Sequence, residues 1–232
     1  MQRQRLPAQA AAASLITAPL LGLAAACAWP PLRAGGRAQI AAISAHPGRW
    51  YTFTLLILLS SFLLVPAVLA LMRLLSRSRP VWALLAGCLA GLGVLVSIAD
   101  SASGLMYWQM GAPGASLGQM AALATRYNAA AGAAVIFMIG GLATVAGTLL
   151  LAAGLWRAHV IPAWTAVAFP VATIANIAGL SANSIPIIIV SYALLLAAFG
   201  RIAVIIRSSP AWTQTETAVT MNPAASAVPA SH

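Results

Sequence analysis

Residues 81–100, VWALLAGCLAGLGVLVSIAD, run from Val81 to Ala99 without a charge and only then meet Asp100. About twenty apolar residues are what an α-helix needs to cross a hydrocarbon core roughly 30 Å thick. In lipid the backbone has no water to bond with, so such a stretch is helical. The same reading applies five more times. The sequence predicts spans at about 13–32, 50–72, 81–100, 129–156, 162–180 and 185–206. The expected fold is all-α, a polytopic six-span transmembrane bundle over residues 13–207. A short N-terminal segment, 1–12, precedes it. A disordered tail, 208–232, rich in Pro, Ala, Ser and Thr without apolar period, follows it.

Composition agrees. The chain has 232 residues, 62% hydrophobic and 6% charged, against about 25% charged in a soluble domain. A soluble core of this length has no room for so much apolar surface. The net charge of +10 comes from twelve Arg and no Lys against Asp100 and Glu216. The arginines stand at the ends of the apolar runs, not on one face with interleaved aromatics. They therefore report orientation and not nucleic-acid binding. With the N-terminus inside, the cytoplasmic side holds Arg3, Arg5, Arg73, Arg77, Arg79, Arg157, Arg201 and Arg207. The outer side holds Arg33, Arg37, Arg49 and Arg126. Eight against four predicts N-in and C-in. Arg without Lys in an Ala-rich chain points to a GC-rich bacterial genome and thus to the bacterial cell membrane. Cys27 and Cys88 fall inside apolar runs and read as small packing residues.

The first run, about Ala13 to Leu32, follows Arg3 and Arg5 and contains Ala24-Ala25-Ala26-Cys27, which also resembles a signal-peptide cleavage site. The run continues past that site to Trp29 and Leu32, which favours an uncleaved helix. Residues 33–49 read as a loop. Trp50 and Tyr51 are interface anchors, and Pro66 and Pro170 bend the second and fifth spans. Residues 101–125 read as a long outer loop, with Ser116 capping a surface helix that leads into the fourth span.

Two small-residue stripes predict where helices approach closely. Ala83, Gly87 and Gly91 recur every four residues. Ala133, Gly140, Gly147 and Gly154 recur every seven. In lipid, where burial against water drives little, such stripes let backbones pack and drive association. They also offer faces for a second copy or another membrane protein.

Polar residues inside or beside spans are costly and become candidates for function. Asp100, Arg126, Asn128, Asn176 and Asn183 all fall on the outer side of the expected topology. Asp100 is expected to pair with Arg126, or with the amides of Asn128 and Asn176. Asn176 and Asn183 share a face if their helix runs through Ser181.

Several chemistries are excluded. His46 and His159 lie in loops on opposite faces and His232 is the last residue, so no two share a haem or zinc. Met106-Tyr107-Trp108-Gln109-Met110 offers thioethers suited to Cu(I), but Met and aromatic residues at a membrane surface are ordinary anchors. Gly179-Leu180-Ser181-Ala182 resembles the serine motif of rhomboid proteases, and the sixth span lacks the histidine those enzymes need. No HExxH or phosphate loop occurs. No cofactor or metal is expected.

The string HPGRW at 46–50, the following LLILLSSFLLVPAVLALMRLL, and WRAHVIPAW at 156–164 resemble a group of bacterial, actinobacterial-type six-helix membrane proteins of unknown function. The resemblance covers roughly residues 13–207 and implies no catalytic residue. The expected function is a non-enzymatic sensing, assembly or partner-binding role in the bilayer. The alternatives are a small permease or carrier subunit with an outer-facing polar pocket, and a membrane enzyme acting on lipid. Matched prolines in the middle span of each half point towards the inverted repeats of carriers. A carrier requires a polar cavity reaching the midplane; a partner-binding protein requires only a solid bundle.

Overall fold

A computed structural model describes residues 8–30 and 36–208. Among them the chain forms eight helices and no strand: α1 (Ala8–Ala28), α2 (Gly36–Ala45), α3 (Pro47–Ser76), α4 (Pro80–Met110), α5 (Leu117–Ala129), α6 (Ala131–Arg157), α7 (Ala163–Ser181) and α8 (Ile185–Ser208). Six of these, all but α2 and α5, are long and apolar enough to span a bilayer. Each carries bare aliphatic side chains, such as Leu95 (62% exposed), Leu142 (65%) and Val190 (63%). Surface of this kind belongs against lipid tails. The protein is an all-α, multi-pass integral membrane protein. The expected tail beyond Ser208 and the first seven residues lie outside the described residues.

The spans pack in chain order. α1 meets α3, α3 meets α4, α4 meets α6, α6 meets α7, α7 meets α8, and α8 returns to α1. The result is a closed up-and-down ring. Ala8 and Ser208 lie on one face, here the terminal face. The connections bearing α2 and α5 lie on the other, here the capped face.

Near the terminal face the ring is filled. Leu15, Leu71, Leu75, Leu151, Leu155 and Ile202 are each 0% exposed and belong to one apolar cluster. Towards the capped face the filling stops. There a second, smaller cluster joins α2 and α5 to the ends of α3 and α4, through Ile40, Ile43, Trp50, Tyr107, Met110 and Ala124. The two short helices form a lid.

Segment 33–49, expected as a loop, contains α2. No breaker interrupts Arg37–Ala45, and Ile40 and Ile43, both 0% exposed, make the i, i+3 stripe of a short amphipathic helix. The third span, expected to end at Asp100, continues to Met110. Serines halt a helix when they bond backbone outside it; here Ser101 Oγ donates back to the Ser97 carbonyl at 2.7 Å, which a helix tolerates. Gly111 and Pro113 are the first true stop. Arg126 and Asn128 lie in α5. Ala130, with extended backbone, separates α5 from α6. Ser116 stands at the expected N-cap, but its hydroxyl makes no capping bond.

Three glycines of the seven-residue stripe of α6 lie against neighbouring helices. A Cβ on Gly140 would strike Val96, one on Gly147 the backbone of Ala90, and one on Gly154 Leu75 and Trp82. The Gly147 contact is backbone to backbone, which only glycine permits at that separation. Gly87 meets Met72. Gly91 meets nothing within 4 Å and is no packing residue within the chain, because a four-residue repeat drifts around a 3.6-residue helix. Among the described residues interior prolines number three, Pro19 as well as Pro66 and Pro170, so the match between halves loses its distinctiveness.

Candidate functional site

Between the filled terminal half and the lid the six spans enclose a cup of about 650 Å³, to which every one of them contributes side chains. α3 presents Trp50, Thr54, Ile57, Ser61, Leu64 and Val68; α4 presents Ala90, Gly93, Ser97, Asp100, Gly104 and Tyr107. These positions step by three and four residues, which is one face of a helix. From Ala90 to Tyr107 the cup follows about 25 Å of α4, most of a bilayer's apolar thickness. Phe169 and Phe199 close its deep end, with ring centroids 5.0 Å apart and planes at 64°.

Most polar groups on the wall bond locally. Ser60 Oγ donates to the Ala18 carbonyl of α1 at 2.7 Å. Thr144 Oγ1 donates to Gly140 at 2.8 Å and Thr148 Oγ1 to Thr144 at 2.6 Å. Asn176 Nδ2 donates to Ser191 Oγ at 3.0 Å, which ties α7 to α8. Trp50 Nε1 donates to the Gly104 carbonyl at 2.8 Å and locks α3 to α4. One fully buried wall hydroxyl is left over: Thr54 Oγ1, on a residue 1% exposed, has no partner among the described residues. A buried polar group without a partner is expensive.

Of the five polar residues singled out by sequence, Asp100, Asn176 and Asn183 line the cup. The helix does not continue through Asn183. α7 ends at Ser181, and Asn183 takes φ 52 while Ser184 N–H bonds back to the Gly179 carbonyl at 2.9 Å. That is the left-handed closing turn that asparagine tolerates better than most residues, and it still turns the side chain inward. Asn128 sits on the lid, where its Oδ1 accepts from Tyr107 OH at 2.6 Å. It latches α5 to α4.

Arg126 does not join them. It is exposed near the C-terminal end of α5, where a cation suits the helix dipole, and neither it nor the Asp100 carboxylate has an ion pair or hydrogen bond among the described residues. The expected Asp100–Arg126 pair is absent because α4 runs ten residues past Asp100. That puts about 15 Å of helix between the carboxylate and the lid. Asp100 instead faces the cup, and no described residue balances its charge.

Sequence reading missed Thr54, Ser61 and Ser97 as wall residues. The signal was present as polar or small residues at heptad spacing inside an apolar run: Thr54 and Ser61 on α3, Ser97 and Gly104 on α4. Among the described residues no three His, Cys, Asp or Glu side chains gather as metal ligands, and Cys27 and Cys88 are free.

Compared with family models, with curated proteins and with solved structures, the chain matches none of them.

Proposed function

We propose that the protein is a small-molecule-binding membrane protein of the carrier type, which admits its ligand from the capped face into a blind cup in the bundle. The carrying observation is the cup itself, walled by all six spans and about 650 Å³ in volume. Ligand sites of 300–1,000 Å³, largely apolar with a few placed polar groups, are the usual size and make-up. An assembly or partner-binding protein needs only a filled bundle, and here the filling stops part-way across. Four of the five stripe glycines already pack against this chain's own helices, leaving little small-residue face for a partner. An enzyme is disfavoured because, among the described residues, no histidine lines the cup and no wall hydroxyl is paired with a base.

Access is tested at Gly141. This residue lines the cup, and a Cβ there meets nothing within 4 Å. It lies ten residues into α6, about 15 Å from the capped end. With Cys27 and Cys88 replaced by alanine, Gly141→Cys should react with N-ethylmaleimide in the native protein, and Gly141→Trp should fill the cup without unfolding it. A cysteine that reacts only after denaturation in SDS overturns the reading.

Orientation belongs to the same proposal. Described arginines on the terminal face are Arg73, Arg77, Arg79, Arg157, Arg201 and Arg207, against Arg37, Arg49 and Arg126 on the capped face. That bias favours the terminal face inside and the cup mouth outside. Ser116 and Ser78 are exposed on opposite faces. On intact cells an impermeant thiol reagent should label Ser116→Cys and spare Ser78→Cys; the reverse pattern inverts the topology.

A further inference from the structure

We propose that the cup takes an organic cation with an apolar body, with the Asp100 carboxylate as its counter-ion. The inference rests on the binding reading above and names its ligand class. Among the described residues Asp100 is the only charged side chain on the wall, with no Arg or His to offset it. Three of the groups near it on α4 are already engaged. Ser103 Oγ donates to the backbone carbonyl of Asp100 at 2.6 Å and Ser101 Oγ to Ser97 at 2.7 Å. The Gly104 carbonyl accepts from Trp50. None of these bonds reaches the carboxylate.

Gly104 follows Asp100 by one turn, on the same face of α4. A Cβ placed on it would lie 2.9 Å from Thr54 Oγ1. Thr54 therefore lies one turn of α4 from Asp100, with its hydroxyl packed in the α3–α4 seam and not offered to the carboxylate. The carboxylate is the acceptor facing the cavity, and a charge within the spanning part of the bundle needs a cation to balance it. An anionic guest, a phospholipid phosphate included, would meet like charge. A bare divalent metal would find one carboxylate where it needs several oxygen ligands.

The rest of the wall selects the body. Towards the mouth, Trp29 and Phe53 stack with centroids 4.7 Å apart, and Trp50 and Phe53 at 5.5 Å. All three line the cup, and aromatic faces attract organic cations. At the mouth Arg49 directs Nη2 to the Trp29 carbonyl at 3.1 Å, which holds the end of α1 and keeps that guanidinium on the backbone. A guest that satisfies the carboxylate and fills an aromatic cup is an amine, quaternary ammonium or phosphonium with hydrocarbon substituents.

The test uses Gly141→Cys in the full chain lacking Cys27 and Cys88, in phosphatidylglycerol nanodiscs, which contain no ammonium headgroup. Tetraphenylphosphonium should slow N-ethylmaleimide labelling saturably, while tetraphenylborate, an anion of the same shape, should not. Asp100→Asn should raise the half-protecting concentration roughly thirty-fold or more. Asp100→Glu should recover part of the protection, and the melting midpoint of each variant shows that it is folded. Protection appearing without added cation when phosphatidylethanolamine replaces phosphatidylglycerol supports the same ammonium chemistry, supplied by a lipid. If the cysteine is labelled but the borate protects as well as the phosphonium, or Asp100→Asn changes nothing, the cation inference falls and the binding reading stands. A cysteine that is never labelled in the native state removes the binding reading, and this inference with it.

Discussion

Gly147→Leu is expected to cost the bundle about 3 kcal/mol or more, the upper end of what overpacking does to a filled site. A Cβ at Gly147 would lie 2.7 Å from Ala90 Cα and 2.9 Å from the Leu89 carbonyl carbon. Both are backbone atoms of α4, so no rotamer change relieves the clash and the two spans must separate. Separation breaks more than one contact. Gly93 against Thr144 and Gly140 against Val96 lie along the same seam, and the Trp82 Nε1 bond to the Leu150 carbonyl, 2.8 Å, crosses it. Lipid returns no hydrophobic gain for a loosened seam, because tails are as apolar as leucine; packing is what held it. Even Gly147→Ala should lower the melting midpoint. Gly87→Leu should cost less, since its neighbour is the flexible end of Met72. Gly91→Leu should stay within about 0.5 kcal/mol, since it meets nothing. Thermal melts of the four variants in one detergent check the order. A Gly147→Leu protein melting like wild type would mean α4 and α6 do not touch there.

The six spans were legible because bilayer thickness and backbone hydrogen bonding leave one solution for an apolar run of that length. Helix contact was partly legible. The heptad stripe of Gly140, Gly147 and Gly154 stays on one side of α6 and packs, whereas the four-residue stripe of α4 rotates Gly91 away from any neighbour. The cup was harder. Whether Ser97 or Thr54 faces lipid, a neighbour or a cavity depends on how six helices close, and the closure of α8 onto α1 is contact between the two ends of the sequence. No local pattern carries it. The mistaken Asp100–Arg126 pair has the same root. With α4 stopped at Asp100, the carboxylate would stand at the surface beside the outer loop. Ten more residues of helix place it well below the lid, and Arg126 stays above. The serines read as a loop signal are instead wall residues whose hydroxyls fold back on their own helix.

Phe199→Ala is expected to be the most damaging single truncation on the cup wall, because Phe199 is where cup and core meet. It is 2% exposed and packs edge-on against Phe169, itself 5% exposed. It belongs both to the cup lining and to the apolar cluster of the terminal half. In soluble cores Phe→Ala costs about 3–5 kcal/mol, part transfer and part cavity. In a bilayer the transfer part shrinks, since the unpacked helix still sits in lipid. The lost contacts remain, and the loss should be about 2–3 kcal/mol. The vacated volume adjoins the cup, so the cup should deepen. Beneath it Ile202 and Leu155, both 0% exposed, still block the path, and so the terminal face should stay sealed. In a Gly141→Cys background, Phe199→Ala should therefore speed labelling by bulky maleimides added at the capped face. It should not permit labelling by an impermeant reagent confined to the terminal face. A melt unchanged from wild type would place the floor elsewhere. Labelling from the terminal face would show that the two rings, and not the aliphatic layer under them, form the seal.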